Sequence, residues 1–342
     1  MKGSRIGICV IGSGRAGMIH ARNFASGISF AGIVAVADPV EEAAKKAAEE
    51  LEIDTYYLDY RRALEDKRVD AVVVVTPTVF HREIVLAAAA AGKHVLWEKP
   101  MAMNAEECRD MIEACAKHKV KLQIGFMRRF DKSFRTAKER IDRGDIGRVV
   151  LVKSLTHGPS VPQPWMYDIR KSNGPLAEVN SHDIDTLRWF TGSEFAEVYA
   201  VAGNYRCPEA LPDYPDFYDN VLMNARFKNG MQGSIDGAVS VKYGYDARTE
   251  VLGTDGIMFI GHTAENAVTV CSSRGSMDSQ FVKSWRTLFS EAYRAEDEGF
   301  IRCILEDSEP CVTGVDGKMA VKVVNAGNAS IIEKKPIILM EE

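Results

Sequence analysis

Several things are missing from this 342-residue chain, and each absence removes a class of function. Lys and Arg together number 43 against 48 Asp and Glu, a formal net charge of −5, and no face collects positive charge. A nucleic-acid or anionic-membrane partner requires clustered cations, so neither is expected. No apolar run reaches the roughly 18 residues that a membrane-spanning helix needs. Met1, Lys2, Gly3, Ser4 and Arg5 run straight into a strand pattern, with no room for a signal peptide. The cysteines Cys9, Cys108, Cys115, Cys207, Cys271, Cys303 and Cys311 are scattered, odd in number and without a C-x-x-C pair. That usage is expected of reduced thiols filling the core of a cytoplasmic protein. None of the seven histidines pairs with Cys or Asp at a ligand spacing, so no metal is expected. There is no internal repeat or low-complexity tract, and residues 158–164 form the one proline-rich loop.

What is present describes a soluble protein with an ample core. Hydrophobic residues make up 46% and charged residues 27%, and the length predicts about two domains. The first third alternates strand and helix signals. Apolar strands are predicted at 6–11, 33–37, 71–75, 94–97 and 121–125, with a short one at Tyr56 and Tyr57. The run Ala71-Val72-Val73-Val74-Val75 lacks alternation, as expected of a parallel strand buried on both faces. Helices are predicted at 18–25, 41–51 and 79–91, one capped by Asp59, and one opened by Asn104 with Glu107 three residues on. From residue 126 the grammar changes to a helix at 131–143 and strands at 149–156, 197–205, 220–227, 231–241, 249–253 and 257–260. Asn229-Gly230 is a hairpin signal, and helices return at 279–305 and 316–332. The predicted class is α/β. A doubly wound parallel sheet occupies 1–126, and an α+β domain with an open, largely antiparallel sheet occupies 127–342.

The glycine spacing at the first strand–helix junction carries the strongest chemical signal. In Gly12-Ser13-Gly14-Arg15-Ala16-Gly17, Gly12 permits a tight turn, Gly14 lets the backbone approach a pyrophosphate, and Gly17 allows close helix packing. The helix N-terminus then offers free N–H groups to the anion. The second strand ends at Asp38, 21 residues after Gly17, where a carboxylate can accept both ribose hydroxyls and repel a 2′-phosphate. These features predict a Rossmann domain that binds NAD.

Ligands of open α/β sheets bind at the carboxyl ends of the strands. Lys99 follows the fifth strand there, and Pro100 restricts its backbone, so its ammonium is a candidate donor to a substrate hydroxyl. A solvated turn lysine is the alternative. A helix over 176–190 places Leu176, Val179, Ile184, Leu187 and Phe190 on one face and Glu178, His182, Asp185 and Trp189 opposite. Asp183 intrudes on the apolar face. Four residues apart on such a helix, Glu178 and His182 are neighbours, and a carboxylate-oriented imidazole suits a general base for an alcohol. An incidental surface histidine is the alternative. Tyr243 and Tyr245, two apart on a strand, share a face and can read hydroxyls or serve as ordinary sheet aromatics.

Gly12 to Gly17 followed by His20, then Glu98-Lys99-Pro100, then His182-x-x-Asp185 before Arg188-Trp189, resemble the Gfo/Idh/MocA oxidoreductase family nearly end to end. Gly125-Phe126-Met127-Arg128-Arg129-Phe130-Asp131 and Lys242-Tyr243-Gly244-Tyr245-Asp246 are similar to its bacterial inositol 2-dehydrogenase branch. The resemblance implies a homotetramer built on the open sheet and a small-molecule polyol or sugar as partner. It implies Lys99, His182 and Glu178 as catalytic residues. The cofactor contacts it implies are Gly12, Gly14, Arg15, Ala16, Gly17, Asp38, Thr76, Pro77, His81, Glu98 and Lys99. Substrate contacts would fall on Met127, Arg128, Trp165, His182, Tyr243 and Tyr245. The reaction implied is NAD-dependent oxidation of a secondary alcohol on a cyclic polyol, most simply an inositol. Two departures stand out: Glu178 where the branch carries Asp, and a longer connection at 157–175 that brings Trp165, Tyr167 and Asp168 towards the sugar. They keep open a dehydrogenase or reductase of another sugar or anhydrosugar. A non-catalytic NAD-sensing regulator is the third possibility.

Overall fold

The computed structural model describes residues 5–340, so the expectation about Met1, Lys2, Gly3 and Ser4 lies outside the described residues. The chain divides into two compact units. One takes the residues up to Phe130 together with Glu291–Val321, and the other Asp131–Ser290 with the residues from Lys322 onward.

The first unit is a six-stranded sheet of order β3-β2-β1-β4-β5-β6, with every neighbouring pair parallel. Its elements in chain order are β1 (Ile6–Ile11), α1 (Gly17–Ala25), β2 (Ala31–Ala37), α2 (Glu41–Glu50), β3 (Tyr56–Tyr57) and α3 (Tyr60–Glu65). There follow β4 (Ala71–Val74), α4 (His81–Ala90), β5 (His94–Glu98), α5 (Ala105–His118) and β6 (Leu122–Gly125). Local chemistry sets the helix starts as the sequence predicts. The Asp59 carboxylate accepts the Arg61 N–H, the Asn104 side chain accepts the Glu107 N–H, and Glu107 returns to the Met103 N–H. β1 and β4 are buried along their whole length, which is why they read as apolar runs without alternation.

In the second unit come α6 (Lys132–Asp142), β7 (Val149–His157), α7 (Ile169–Ser172), α8 (Gly174–Glu178), α9 (Ser181–Thr191), β8 (Phe195–Gly203), β9 (Asn220–Phe227) and β10 (Gln232–Ala238). The chain continues through β11 (Asp246–Gly253), β12 (Ile257–Ile260), β13 (Ala264–Cys271), β14 (Met277–Phe281) and α10 (Trp285–Leu288), then through α11 (Ser290–Leu305) and the first part of α12 (Gly314–Glu333), which group with the first unit, and ends on β15 (Ile337–Ile338) of the second. The main sheet has the order β12-β11-β7-β10-β9-β8-β15, antiparallel except for the β7–β10 pair. Val152, Val198, Val221, Ile235 and Val251 lie on its buried face, where α8 and α9 pack. The opposite face carries exposed Tyr199, Val201, Leu222, Leu252 and Phe259, with Val201 and Leu222 paired across β8 and β9.

The sequence places residues 291–321 with the second domain; in the structure they group with the first unit. Phe300 and Ile301 of α11 are buried in the same core as Ile8, Val10, Phe24, Val73 and Leu96. The helix predicted over 279–305 also begins later. Phe281 pairs with Ala264 and the Val282 N–H donates to the Thr263 carbonyl, so the chain stays extended until Ser284 caps α10. β13 is exposed along almost all of its length, and for that reason it has no hydrophobic alternation to betray it. Of the cysteines, Cys271 and Cys311 are exposed, so only the other five act as core filler. Among the described residues, no helix is long and apolar enough to cross a membrane.

Candidate functional site

In the first unit the glycine-rich turn has the geometry that a dinucleotide requires. Gly12 sits at φ +97°, and a Cβ there would lie 2.1 Å from the Val75 carbonyl oxygen. A Cβ on Gly17 would lie 1.9 Å from the Gly12 carbonyl oxygen, so this glycine closes the turn on itself. Gly14 faces open space, with no atom within 4 Å of where its Cβ would be. The turn therefore has room for an anion against backbone N–H groups at the start of α1. Arg15 is exposed beside it, and Ala16 precedes the first helical residue.

Asp38 follows β2, and its carboxylate is already oriented. One oxygen accepts from the Ser13 N–H at 2.9 Å and the Ser13 hydroxyl at 2.8 Å, and the other from the Val40 N–H at 2.9 Å. Each carboxylate oxygen accepts two hydrogen bonds, so the oxygen facing Ser13 is filled and the one facing Val40 keeps capacity for one ribose hydroxyl. After β4, the Thr76 hydroxyl is buried with no partner among the described residues, and Pro77 beside it is exposed. That hydroxyl can bond a cofactor. The turn, Asp38 and Thr76 fit an NAD molecule.

His81 has a different part from the cofactor contact expected of it. It is fully buried, with Trp97 Nε1–H donating to Nδ1 at 3.0 Å and its own Nε2–H donating to the Thr76 carbonyl at 2.7 Å. Both ring nitrogens are therefore committed within the protein, and the imidazole holds the Thr76 loop in place. Burial pushes its pKa down to about 4, against the pull of the Thr76, Met101 and Pro100 carbonyls.

Glu98 ends β5 as a buried carboxylate, and Lys99 follows half-buried, its N–H donating to Glu98 Oε2 at 3.2 Å. The Lys99–Pro100 peptide is cis. Met127 and Arg128 lie in a turn of 3-10 helix after β6, both nearly inaccessible. Arg129 anchors that turn through a 3.0 Å ion pair with Asp316.

The second unit carries His182, Glu178, Trp165, Tyr243 and Tyr245. The predicted single helix over 176–190 is broken. Glu178 ends α8, the Val179 and Asn180 N–H groups both return to the Pro175 carbonyl, and His182 lies in the first turn of α9. Glu178 and His182 therefore do not share a helical surface, and the i,i+4 argument fails. The break has a tertiary cause. Asn180 is buried, its Nδ2 donates to Asp183 at 2.8 Å, and its Oδ1 lies 2.0 Å from where a Cβ on Gly237 of β10 would be. A side chain at 237 would expel it.

Asp183, out of place on the wheel, is the tie between α9 and β7. It accepts from the Ser154 hydroxyl at 2.5 Å and the Thr156 hydroxyl at 2.7 Å as well as from Asn180, so all of its burial is matched by donors. His182 and Asp185 are buried too, contrary to a solvated polar stripe. Asp185 is the carboxylate one turn along the same helix from His182.

The two tyrosines are not on a strand and do not share a face. β11 begins only at Asp246, and Gly244 between the tyrosines has φ +134°, which turns the chain. Tyr245 is buried edge-on to Phe289. Tyr243 is largely exposed, its hydroxyl 2.5 Å from His157 Nδ1, and its pKa is pushed up to about 12 by burial of the hydroxyl and by Asp246. In the connection at 157–175, Trp165 points outward. Tyr167 is buried against Phe217 and donates to Glu209 at 2.7 Å, and Asp168 caps α7. Cys207, Ala210 and Phe217 complete a small core beneath this loop.

The sequence reading missed Glu296 and Asp297 of α11, which lie with His20 and Glu98 in the interior of the first unit. Glu296-Asp297-Glu298 reads as a solvated acidic run, and no local pattern marks it otherwise.

Comparison with known proteins gives the family. Residues 6–126 match the model of an oxidoreductase family with an NAD-binding Rossmann fold, and residues 134–259 match the GFO/IDH/MocA C-terminal domain. The chain is 34% identical to the scyllo-inositol 2-dehydrogenase (NAD(+)) of Bacillus subtilis, over 96% of this chain and 95% of that protein. It is 36% identical to the myo-inositol 2-dehydrogenase of Thermotoga maritima, over 98% and 99%. Its fold is similar to the crystal structure of scyllo-inositol dehydrogenase from Lactobacillus casei with bound NAD(H) and scyllo-inositol. The TM-score is 0.89 at 29% identity, covering 97% of this chain and 98% of that one. With both domains matched in order along the chain and the glycine turn and Asp38 in place, the protein belongs to the Gfo/Idh/MocA oxidoreductases, built on an NAD-binding Rossmann domain.

Proposed function

We propose that the protein is an NAD-dependent dehydrogenase of carbohydrate metabolism that oxidises a secondary alcohol of a cyclic polyol, myo- or scyllo-inositol to the inosose. The observation that carries the reading is the full-length similarity to inositol dehydrogenases in a chain that keeps Lys99 and His182 together with the Gly14 and Asp38 geometry. Gly12, Gly14, Ala16, Gly17 and Thr76 would hold the cofactor phosphates and nicotinamide side, with Asp38 on the adenosine ribose. Bound NAD supplies the hydride acceptor. His182 takes the hydroxyl proton, since loss of hydride without it would leave a protonated carbonyl too acidic to persist. Lys99 hydrogen-bonds the same oxygen. Glu178 is the expected orienting carboxylate, and Asp185, which shares a helical surface with His182, is the second candidate for that role.

Purified protein with NAD and a panel of cyclitols and sugars, followed by NADH absorbance, tests the reading. Turnover is expected with an inositol, and His182→Ala should lower kcat by about 10²- to 10⁴-fold with NAD affinity little changed. Turnover confined to another sugar or anhydrosugar would favour the second reading, which Glu178 and the outward Trp165 motivate. NAD binding without any turnover would leave a sensing regulator. The buried, unpaired cysteines suit a cytoplasmic protein. The apolar residues on the open face of the second sheet suit a homotetramer, which light scattering of the wild type and of Phe259→Asp would test.

A further inference from the structure

Four ionisable side chains meet inside the first unit, out of reach of solvent: His20 of α1, Glu98 at the end of β5, and Glu296 and Asp297 of α11. His20 Nδ1 lies 2.6 Å from Asp297 Oδ1, and Nε2 lies 3.1 Å from Glu98 Oε1. Asn23 Nδ2 donates to the other Asp297 oxygen at 2.8 Å, and the Tyr293 ring stands edge-on to His20. From β6, Gln123 donates to the Glu296 carbonyl at 3.1 Å. Gly125 leaves room for Glu98, because a Cβ there would lie 3.0 Å from its carboxyl carbon. Both Glu296 side-chain oxygens are buried with no hydrogen-bond partner among the described residues.

We propose that this quartet is a positioning unit for Lys99: His20, bridging Asp297 and Glu98, fixes the carboxylate whose second oxygen receives the Lys99 N–H, and Glu296 stands beside it as a neutral acid. The inference rests on reading Lys99 as the residue that hydrogen-bonds the reacting hydroxyl. Each His20 nitrogen faces a carboxylate oxygen, so each carries a proton and the ring is an imidazolium. Three ionised carboxylates around one imidazolium would leave two uncompensated negative charges out of water, a costly state. Glu296 has no donor to stabilise its anion, so it holds the extra proton. Burial raises the Asp297 carboxyl too, but the His20 charge, its hydrogen bond and the Asn23 donor pull against that, whereas only the His20 charge opposes the rise of Glu296. Burial works against a charged His20, but Asp297 and Glu98 hold its pKa well above the ordinary imidazole value. Burial, with Glu98 close by, raises Glu296 well above the usual carboxylate range. Glu98 is then bonded on one oxygen by His20 and on the other by the Lys99 amide, so the direction in which Lys99 leaves the strand is set from behind.

The ligand atoms of His20, Glu98 and Glu296 also lie within 4.8 Å of one another, a spacing that would admit a divalent cation. The test distinguishes the two. In full-length protein labelled with ¹⁵N-histidine, His20 should show both nitrogens protonated at about pH 8, well above the usual imidazole range. A neutral ring, or an equimolar divalent metal in the purified protein that is lost in Glu296→Gln, would overturn the proposal. Hydrogen exchange at the Lys99 amide reads the positioning directly. Asp297→Asn should lower its protection about tenfold, the loss of one charge-assisted bond, and Asn23→Ala should act in the same direction if Asp297→Asn does not fold. Glu296→Gln, an isostere of the neutral acid, should leave it unchanged. Unaltered protection in Asp297→Asn or Asn23→Ala, or its loss in Glu296→Gln, would refute the unit. With an inositol substrate, kcat of Asp297→Asn should fall about tenfold while the KM for NAD stays within about twofold. Absence of turnover in the wild type would count against the proposed function alone, since the nitrogen shifts and amide exchange judge the quartet without it.

Discussion

Two histidines flank the Glu98-Lys99-Pro100 segment, equally deep in the first unit, and their partners push their protonation in opposite directions. His81 meets an indole N–H and a backbone carbonyl, and burial wins, leaving it neutral with a pKa of about 4. His20 meets two carboxylates, and they outweigh the same burial. Depth alone therefore does not decide whether an interior histidine is charged; the sign of its nearest partners does. The neutral one suits a structural staple on the Thr76 loop, and the charged one suits a clamp on the Glu98 carboxylate.

The largest effect should come from removing the charged partner. His20→Ala leaves Glu98 and Asp297 buried without a cation, and should destabilise the protein by about 3–5 kcal/mol in urea unfolding. A loss below about 1 kcal/mol would mean that the carboxylates were not ionised in the native state.

Acid should separate the two histidines without mutation. An unfolded histidine titrates near 6.5, so between about pH 6.5 and 4 the unfolded chain takes up a proton that native His81 refuses. Stability should fall across that window, by about 3 kcal/mol at its lower end. His20 works in the other direction. Its contribution is fully present below about pH 6.5 and is lost as pH rises through its elevated native value. Unfolding free energies measured from about pH 4 to 9 should flatten on the acid side in His81→Asn; an acid limb unchanged from wild type would place the titration elsewhere.

Two milder substitutions sharpen the contrast by removing one hydrogen bond from each environment. Asn23→Ala removes a donor from the Asp297 carboxylate and should cost about 2 kcal/mol, the range for a bond to a charged group. Trp97→Phe removes the donor to neutral His81, a bond of about 1 kcal/mol, but also shrinks a fully buried side chain, so the bond is read from the coupling of Trp97→Phe with His81→Asn rather than from the single loss. A coupling energy as large as the loss in Asn23→Ala would remove the electrostatic difference between the two sites.

Legibility followed sequence distance. The Gly12 to Gly17 turn, Asp38, the Asp59 and Asn104 caps and the apolar strands all depend on residues a few positions apart or on one strand–helix–strand unit, and these stand in the structure as read. Lys99 was singled out because it follows a strand end, and β5 does end at Glu98. The setting read for His182 was wrong, because the helix carrying it begins only after Asn180, a residue seated against Gly237, 57 positions away. Tyr243 and Tyr245 were paired by a strand period that Gly244 interrupts.

Composition and spacing by themselves determined that the chain is a two-domain α/β protein with a dinucleotide turn, since hydrophobic period, glycine freedom and capping are properties of neighbouring residues. Only the tertiary structure decided which polar residues are inside and in what charge state. Asp183 reads as an error on a helical wheel until Ser154 and Thr156 arrive from β7, and Asp297 reads as solvated surface until His20 meets it across 277 residues of chain. The physical reason is that the free energy of a buried charge depends on partners within a few ångströms, and for these residues the partners are brought by folding rather than by adjacency in sequence.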